Sequence, residues 1–168
     1  MGDGARSAVT LSALGLVLVV AAIWGWSAAT EPLPAKVDTP ICVDRDIAEG
    51  EKVFAPDVVV SVYNAGTRDG LAARVMQELT DAGFREGNSG NVASSVRVPV
   101  AQIWTTEPQN PDVLLVAGRL GDQVEIERRD PVGPGVNIVV GDGFGDTTEG
   151  RRSVAARSDA VICSPPVS

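Results

Sequence analysis

Residues 58–84 constrain the fold of this chain more than any other stretch, because hydrophobic periodicity, local propensity and turn chemistry agree there. The stretch begins with VVVSVY, which is β-rich and nearly all apolar, as a strand buried on both faces should be. From Leu71 the apolar residues recur at helical spacing, and Gly83 follows where glycine commonly ends a helix. The pattern predicts a strand, a tight turn and an amphipathic helix that together form the nucleus of a small domain.

The turn between that strand and that helix is the best candidate for a ligand-binding site. Its candidate contact residues are Asn64, Gly66, Thr67, Arg68 and Gly70. Free backbone N–H groups at a helix N-terminus bind anions, and an arginine adds a charge-assisted donor, so phosphates and carboxylates would fit. The alternative is that the two glycines only permit a tight turn, with Thr67 or Asp69 capping the helix. The spacing matches neither the P-loop nor the dinucleotide fingerprint.

An apolar segment precedes the candidate domain. Residues 8–29 contain no charged residue and are long enough to span a hydrocarbon core of ~30 Å. Trp24 and Trp26 fit the aromatic belt at a membrane interface, and the positive charge of Arg6 places residues 1–7 in the cytoplasm. We therefore expect a single-pass transmembrane anchor, with a cleavable signal peptide as the alternative. Both interpretations export the rest of the chain.

The composition excludes several classes of function. The 14 Lys and Arg against 22 Asp and Glu give a net charge of -8, which repels a phosphate backbone, so nucleic acid is not an expected partner. The chain has no histidine, which removes Ser-His-Asp and Cys-His catalysis and histidine-ligated metal. The sequence GDGFGD at residues 141–146 lacks the acidic spacing of a calcium loop. We expect no catalytic residue, no metal ligand and no cofactor.

Two cysteines, Cys42 and Cys163, lie near opposite ends of the exported part. In an oxidising compartment a disulfide between them would tie the terminal segments together and contribute about 4–5 kcal/mol in the loop-entropy model. The alternative is two separate buried thiols. Because neither cysteine belongs to a Cys-x-x-Cys pair, a thioredoxin-like or zinc role is not indicated.

A second helix is expected in the later part of the chain. Asn110 and Pro111 form a helix-start signal, and apolar residues follow at helical spacing as far as Leu120. A strand is the alternative, since residues 113–116 are a continuous apolar run.

The remaining segments predict strands and surface. Residues 96–105, 124–127 and 136–140 predict strands, and Pro99 marks an edge or a bulge in the first of them. The polar and charged segments are expected at the solvated surface, over residues 41–55, 87–95 and 145–159.

These features together resemble one known family, the LytR C-terminal domain of bacterial envelope proteins. The residues that carry the resemblance are Asn64, Gly70, Leu71, Ala72, Val75, Leu79, Gly83, Phe84, Gly90, Asn91, Ile138, Val139, Val140, Gly141 and Phe144. The arrangement is similar to that of stand-alone, membrane-anchored envelope integrity proteins of actinobacteria. The resemblance implies an α+β fold, a two-layer sandwich in which a small mixed sheet packs against two helices in the order strand, helix, strand, strand, helix, strand, strand.

The expected organisation follows from the resemblance and the anchor. Residues 1–7 form a cytoplasmic tail, 8–29 the anchor, 30–55 a linker with Cys42, 56–144 the LytR C-terminal-like domain, and 145–168 a tail with Cys163.

The resemblance implies a non-catalytic, extracytoplasmic module that supports the cell envelope. Its expected partners are the membrane and either peptidoglycan, an attached glycopolymer or other envelope proteins. Two alternatives stay open: an accessory subunit of a LytR-CpsA-Psr glycopolymer transferase, and an enzyme acting on envelope glycans through carboxylates and Arg68.

Overall fold

The computed structural model describes residues 3–30, 40–93 and 95–166. The chain divides into two units, Met1–Thr39 and Pro40–Ser168. The first unit contains helix α1 (Asp3–Thr30). Within the described ranges, no helix combines the length and the apolar character needed to cross a membrane. The predicted transmembrane anchor over residues 8–29 is therefore not supported. Residues 31–39 of the predicted linker lie outside the described residues.

The second unit is built on a mixed sheet. The described strands of this unit are β1 (Val43–Ile47), β2 (Lys52–Phe54), β3 (Val59–Asn64), β4 (Arg85–Asn91), β5 (Ala101–Thr105), β6 (Val124–Arg128), β7 (Val136–Val140), β8 (Ser153–Ala155) and β9 (Ala160–Ser164). Five of them form the main sheet in the order β4-β3-β7-β5-β6. Its parallel pairs β3–β4 and β5–β6 are each joined through a helix, and β7 lies between them, parallel to β3 and antiparallel to β5.

Both remaining helices, α2 (Leu71–Asp81) and α3 (Pro111–Leu120), pack on one face of this sheet. They share a core with alternate residues of the three inner strands, as the period of two in a strand requires. These strand residues are Val60, Val62, Ala101, Ile103, Val136, Ile138 and Val140. Each fully buried Val or Ile side chain contributes about 1.5–3 kcal/mol to the free energy of folding. The predicted two-layer α+β arrangement and its order of elements are confirmed.

The opposite face of the sheet has a smaller core. Tyr63, Trp104 and Val139 are buried there with Val98, and the partly buried Val92 and Val96 pack against them. Residues 96–100 were predicted to begin a strand, but β5 starts only at Ala101. The segment before β5 therefore covers this face instead of extending the sheet.

Two short antiparallel ladders complete the second unit. Strand β1 pairs with β9, and β2 pairs with β8. Cys42 and Cys163 form a disulfide with a Cα–Cα distance of 5.4 Å, which confirms the predicted bond. Because β1 and the residues just before β2 are rich in charged side chains, the sequence indicated solvated surface there rather than strands.

Helix α2 ends as predicted and begins differently. Gly83 has a φ of 97°, its N–H donates to the Thr80 carbonyl at 2.9 Å, and the Phe84 N–H donates to the Leu79 carbonyl at 3.1 Å. These two bonds form a Schellman motif. At the other end Gly70 is the N-cap residue, with a φ of 74° and no side-chain capping bond. The predicted capping by Thr67 or Asp69 is therefore wrong.

Candidate functional site

The turn between β3 and α2 is shaped by Asn64, the last residue of β3. Its side-chain Nδ2 donates to the carbonyl of Arg68 at 2.9 Å, and its Oδ1 accepts from the N–H of Gly66 at 2.9 Å. The side chain is 8% exposed, so these bonds form largely away from water. Asparagine suits this position because one amide can both donate and accept within a turn.

The carboxylate of Asp142, 75 residues after Thr67 in the chain, accepts hydrogen bonds from the donors of this turn. Asp142 Oδ1 accepts from the N–H groups of Thr67 at 2.7 Å and Arg68 at 3.1 Å, while Oδ2 accepts from the Thr67 hydroxyl at 3.0 Å. The Arg68 guanidinium donates to the carbonyls of Asp142 at 3.2 Å and Phe144 at 3.0 Å. Glycine is required at position 66 because a Cβ there would lie 2.9 Å from the Asp142 backbone nitrogen. The N–H groups of Thr67 and Arg68 therefore already bind a carboxylate of the protein itself.

A groove of about 690 Å³ opens beside this turn. Among the described residues, its walls include Asn64, Gly66, Thr67, Asn91, Arg97 and Asp142. We call it the turn groove. Three of the five predicted contact residues therefore line one cavity, whereas Arg68 and Gly70 are not part of its lining. Asn91, Arg97 and Asp142 were not among the predicted contact residues, because no local motif connects them with the turn.

The hydrogen bonds of the turn lower the pKa of Asp142. Hydrogen bonds from the N–H groups of Thr67 and Arg68 hold this pKa below its ordinary value, and the Thr67 hydroxyl and the Arg68 charge act in the same direction. Because the folded-state pKa is depressed, the stability from these bonds is complete above the unfolded value of ~3.9 and is lost as the pH falls through the folded value.

We expect the difference in unfolding free energy between wild type and Asp142→Asn to narrow in acid. The side chain at position 142 is uncharged at every pH in the variant. In the wild type it is charged until Asp142 is protonated in acid. Urea denaturation at pH ~7 and pH ~3 measures the difference. An equal difference at both pH values would show that the charge of Asp142 contributes nothing to the turn.

A second acid, Asp112, is buried near the start of α3. It is 6% exposed, and its Oδ1 accepts from the N–H of Val113 at 2.7 Å. Burial raises the pKa of Asp112 to about 6, and the nearby Glu107 adds to the rise, against an opposing effect of the Val113 N–H. The carboxyl lies in a cleft of about 310 Å³ that also includes Trp104 and Cys163.

We expect Asp112→Asn to remove a fall in stability between pH ~4 and pH ~6. Over this range the unfolded state ionises at residue 112 while the folded state stays protonated, so the wild type loses about 3 kcal/mol as the pH rises. Urea denaturation at pH ~4 and pH ~7 should therefore show the variant gaining about that amount relative to wild type. A constant difference between the two proteins contradicts a raised pKa at this position.

Another groove, of about 830 Å³, lies beside β9 and the segment before α3. Four carboxylates line it, from Asp46, Glu51, Glu107 and Asp159, and so does Arg128. Within residues 3–30, 40–93 and 95–166, no group of three His, Cys, Asp or Glu side chains is placed to hold a metal ion. We assign no ligand to this groove.

A sheet flanked by two helices, with a groove beside its first strand-to-helix turn, defines a small α+β module. The family model described as LytR cell envelope-related transcriptional attenuator, the LytR C-terminal family, matches residues 57–144, more than half of the chain. The chain belongs to this family, which confirms the resemblance. The match begins two residues before β3 and ends at Phe144, so it includes the turn and Asp142.

A solved structure is also similar to this chain. It is the soluble domain of a conserved hypothetical secreted protein from Mycobacterium marinum, with 20% sequence identity and a TM-score of 0.44. The match covers 66% of this chain and 78% of the other. A comparison with curated proteins found no significant match.

Proposed function

We propose that this chain is a non-catalytic, extracytoplasmic module that supports the cell envelope by binding a wall polymer or an envelope protein. The observation that carries the proposal is membership of a cell envelope-related family over residues 57–144. The Cys42–Cys163 bond supports the location, because disulfides persist in oxidising compartments outside the cytoplasm. The net charge of -8 favours partners other than nucleic acid.

The proposed contact surface is the turn groove. Asn64, Gly66 and Thr67 form its wall, while Arg68 and Gly70 act through the shape of the turn. Since Asp142 already accepts from the turn N–H groups, an anionic ligand would have to displace that carboxylate to reach them. We therefore propose that a ligand contacts the groove wall and leaves the Asp142 bonds in place.

The proposed route to the outside is export through residues 8–29, whose apolar composition suits a targeting segment. Expression in a bacterial host, followed by fractionation and mass measurement, tests it. We expect residues 40–168 to be reached by protease added outside intact spheroplasts. The mass then separates a retained segment from a removed one, and protection from the protease overturns the location.

Sedimentation with wall material tests the binding role. The full chain in a mild non-ionic detergent is mixed with insoluble peptidoglycan that carries its attached glycopolymers, and separately passed over solubilised envelope proteins. We expect the chain to be retained in one of the two assays, and the wall fraction to be chemically unchanged after incubation. Retention in neither assay overturns the proposal, and hydrolysis of the wall fraction overturns its non-catalytic part.

A matched pair of variants locates the contact surface. Asn91 lines the turn groove, whereas Ser89 lies two residues earlier on β4 and does not line it. Both side chains are neutral and exposed. We expect Asn91→Trp to fill part of the groove and abolish retention, and Ser89→Trp to retain it. Equal binding by both variants excludes the turn groove as the contact surface.

A further inference from the structure

The turn groove lies where the carboxyl ends of parallel strands meet. Strand β3 lies between β4 and β7 and is parallel to both, and its last residue, Asn64, pairs with Asn91 of β4 and Val140 of β7. The chain that leaves β3 leads into α2 on one face of the sheet, whereas the chain that leaves β4 covers the opposite face through Val92 and Val96. Neighbouring connections that diverge in this way open a crevice, which is where open sheets with parallel strands commonly bind ligands.

Asn91 supplies this crevice with an amide that the described protein leaves unused. Its side chain is exposed, lines the turn groove and makes no hydrogen bond with the described residues. A primary amide carries two N–H donors and a carbonyl acceptor. A hydroxyl group, or the acetamido group of an amino sugar, can both donate to such an amide and accept from it.

Asp142 supplies a charged acceptor. Its Oδ1 already accepts two hydrogen bonds, from the N–H groups of Thr67 and Arg68, whereas its Oδ2 accepts one, from the Thr67 hydroxyl. A carboxylate oxygen has about two lone-pair sites, so Oδ2 retains one for a ligand. Bonds from a hydroxyl group to a carboxylate are charge-assisted and short. The open position on Asp142 therefore favours a ligand that donates.

The charges of the turn groove cancel. Among the described residues that line it, Asp142 carries one negative charge and Arg97 one positive charge, and the others are uncharged. Because the whole chain has a net charge of -8, an anionic polymer is repelled overall and gains no net attraction from the groove. The N–H groups of Thr67 and Arg68 that would attract an anion are already bonded to Asp142. These charges favour a neutral ligand.

Apolar side chains of the groove suit the carbon-bound faces of a sugar ring. Ala65, Val92 and Pro99 line it, and the first two are half-buried. A sugar ring presents C–H groups on its faces and hydroxyl groups around its edge, so it can pack on these side chains while its hydroxyl groups reach Asn91 and Asp142. The volume of about 690 Å³ lies within the range of ligand sites.

We propose that the turn groove binds a neutral, hydroxyl-rich glycan, which Asn91 and Asp142 recognise through its hydroxyl and acetamido groups. This inference rests on the proposed envelope-binding function and gives the chemical class of its ligand. Because such a ligand carries no charge, salt does not weaken the interaction as it weakens an ion pair.

Two neutral tetrasaccharides are the test probes: chitotetraose, which bears an acetamido group on each ring, and cellotetraose, which bears hydroxyl groups only. Deacetylated chitotetraose is the cationic probe and poly-L-glutamate the anionic one. Isothermal titration calorimetry of the full chain in non-ionic detergent measures Kd for wild type, Asn91→Ala and Asn88→Ala. Asn88 is the matched control, because it is an exposed asparagine of the same strand that does not line the groove. Thermal unfolding checks that both variants are folded.

We expect wild type to bind at least one neutral tetrasaccharide, with a Kd that changes less than about twofold between ~0.1 M and ~1 M salt. Asn91→Ala should bind that probe about fivefold more weakly because one amide is lost, and Asn88→Ala should match wild type. Equal affinities of the two variants overturn the inference. So does the failure of wild type to bind either neutral probe, or tighter binding of a charged probe than of both neutral ones.

Wall sedimentation separates this inference from the function on which it rests. If wild type sediments with wall material and binds neither neutral tetrasaccharide, the neutral glycan is not the recognised ligand and the binding function stands. If wild type does not sediment and is not retained by envelope proteins, the proposed function itself fails.

Discussion

Replacing Cys42 and Cys163 together by serine is expected to lower the free energy of unfolding by about 4–5 kcal/mol. The bond joins residues 121 positions apart, so it closes a loop that contains nearly the whole second unit. Cross-linking so long a loop removes much of the conformational entropy of the unfolded chain. Urea denaturation of wild type and of the double variant measures the effect.

A reductant provides the control for the cystine prediction. Wild type in excess dithiothreitol should unfold at the same urea concentration as the double variant, and the variant should not respond to the reductant. A loss below about 1 kcal/mol would contradict the prediction, because the remaining contacts between β1 and β9 would then suffice without the bond.

The cystine also explains how the ends of the second unit are fixed. Strands β1 and β9 pair over five residues, and β2 and β8 over three, so neither ladder is long. The region that matches the family, residues 57–144, lies entirely between the two cysteines. The covalent bond therefore encloses the family domain within one closed loop of chain.

The sequence predicted those elements whose own residues carry a clear pattern. Strands β3 and β7 are almost wholly apolar, and α2 has a regular stripe of buried side chains, so each was found within about a residue or two of its observed bounds. Residues 113–116 suited a strand as well as a helix, and the start signal at Asn110 and Pro111 favoured the helix that is observed.

Elements stabilised by their partners were missed. Strand β4, REGNSGN, contains residues that favour loops, and it forms at the edge of the sheet because its backbone pairs with the buried β3. Strands β1 and β9 are far apart in the chain, and their pairing depends on tertiary contacts that no local period records.

In the candidate site, too, the residues with a local pattern were predicted and those that depend on tertiary contacts were not. Asn64 and the two glycines have local reasons to form a turn, and the sequence identified them. Asp142 lies 75 residues from Thr67, in a turn that looked solvated, and only the parallel pairing of β3 with β7 brings the two together. A long-range hydrogen bond between two exposed loops leaves no periodic signal in one sequence.

Asn137 gives the second large effect: Asn137→Ala is expected to lower the free energy of unfolding by about 4 kcal/mol. The residue is fully buried on β7 and makes four hydrogen bonds to the turn before it. Its Oδ1 accepts from the N–H groups of Val132 at 2.9 Å and Gly133 at 2.7 Å. Its Nδ2 donates to the carbonyls of Gly133 at 2.8 Å and Gly135 at 2.7 Å. Alanine would leave four backbone groups without these partners.

Two further variants separate the hydrogen bonds of Asn137 from the volume of its side chain. Asn137→Asp keeps the two acceptor bonds, loses both donor bonds and buries a charge, so we expect it to destabilise the protein at pH ~7 and to recover part of the loss in acid. Asn91→Ala, at an exposed residue of β4, should change the unfolding free energy by less than about 0.5 kcal/mol.

If Asn137→Ala costs no more than Asn91→Ala, the turn is held by other contacts, such as the 2.7 Å bond from the Ser61 hydroxyl to the Pro134 carbonyl. A large loss in Asn137→Ala alone would show that one buried amide fixes this turn against the sheet.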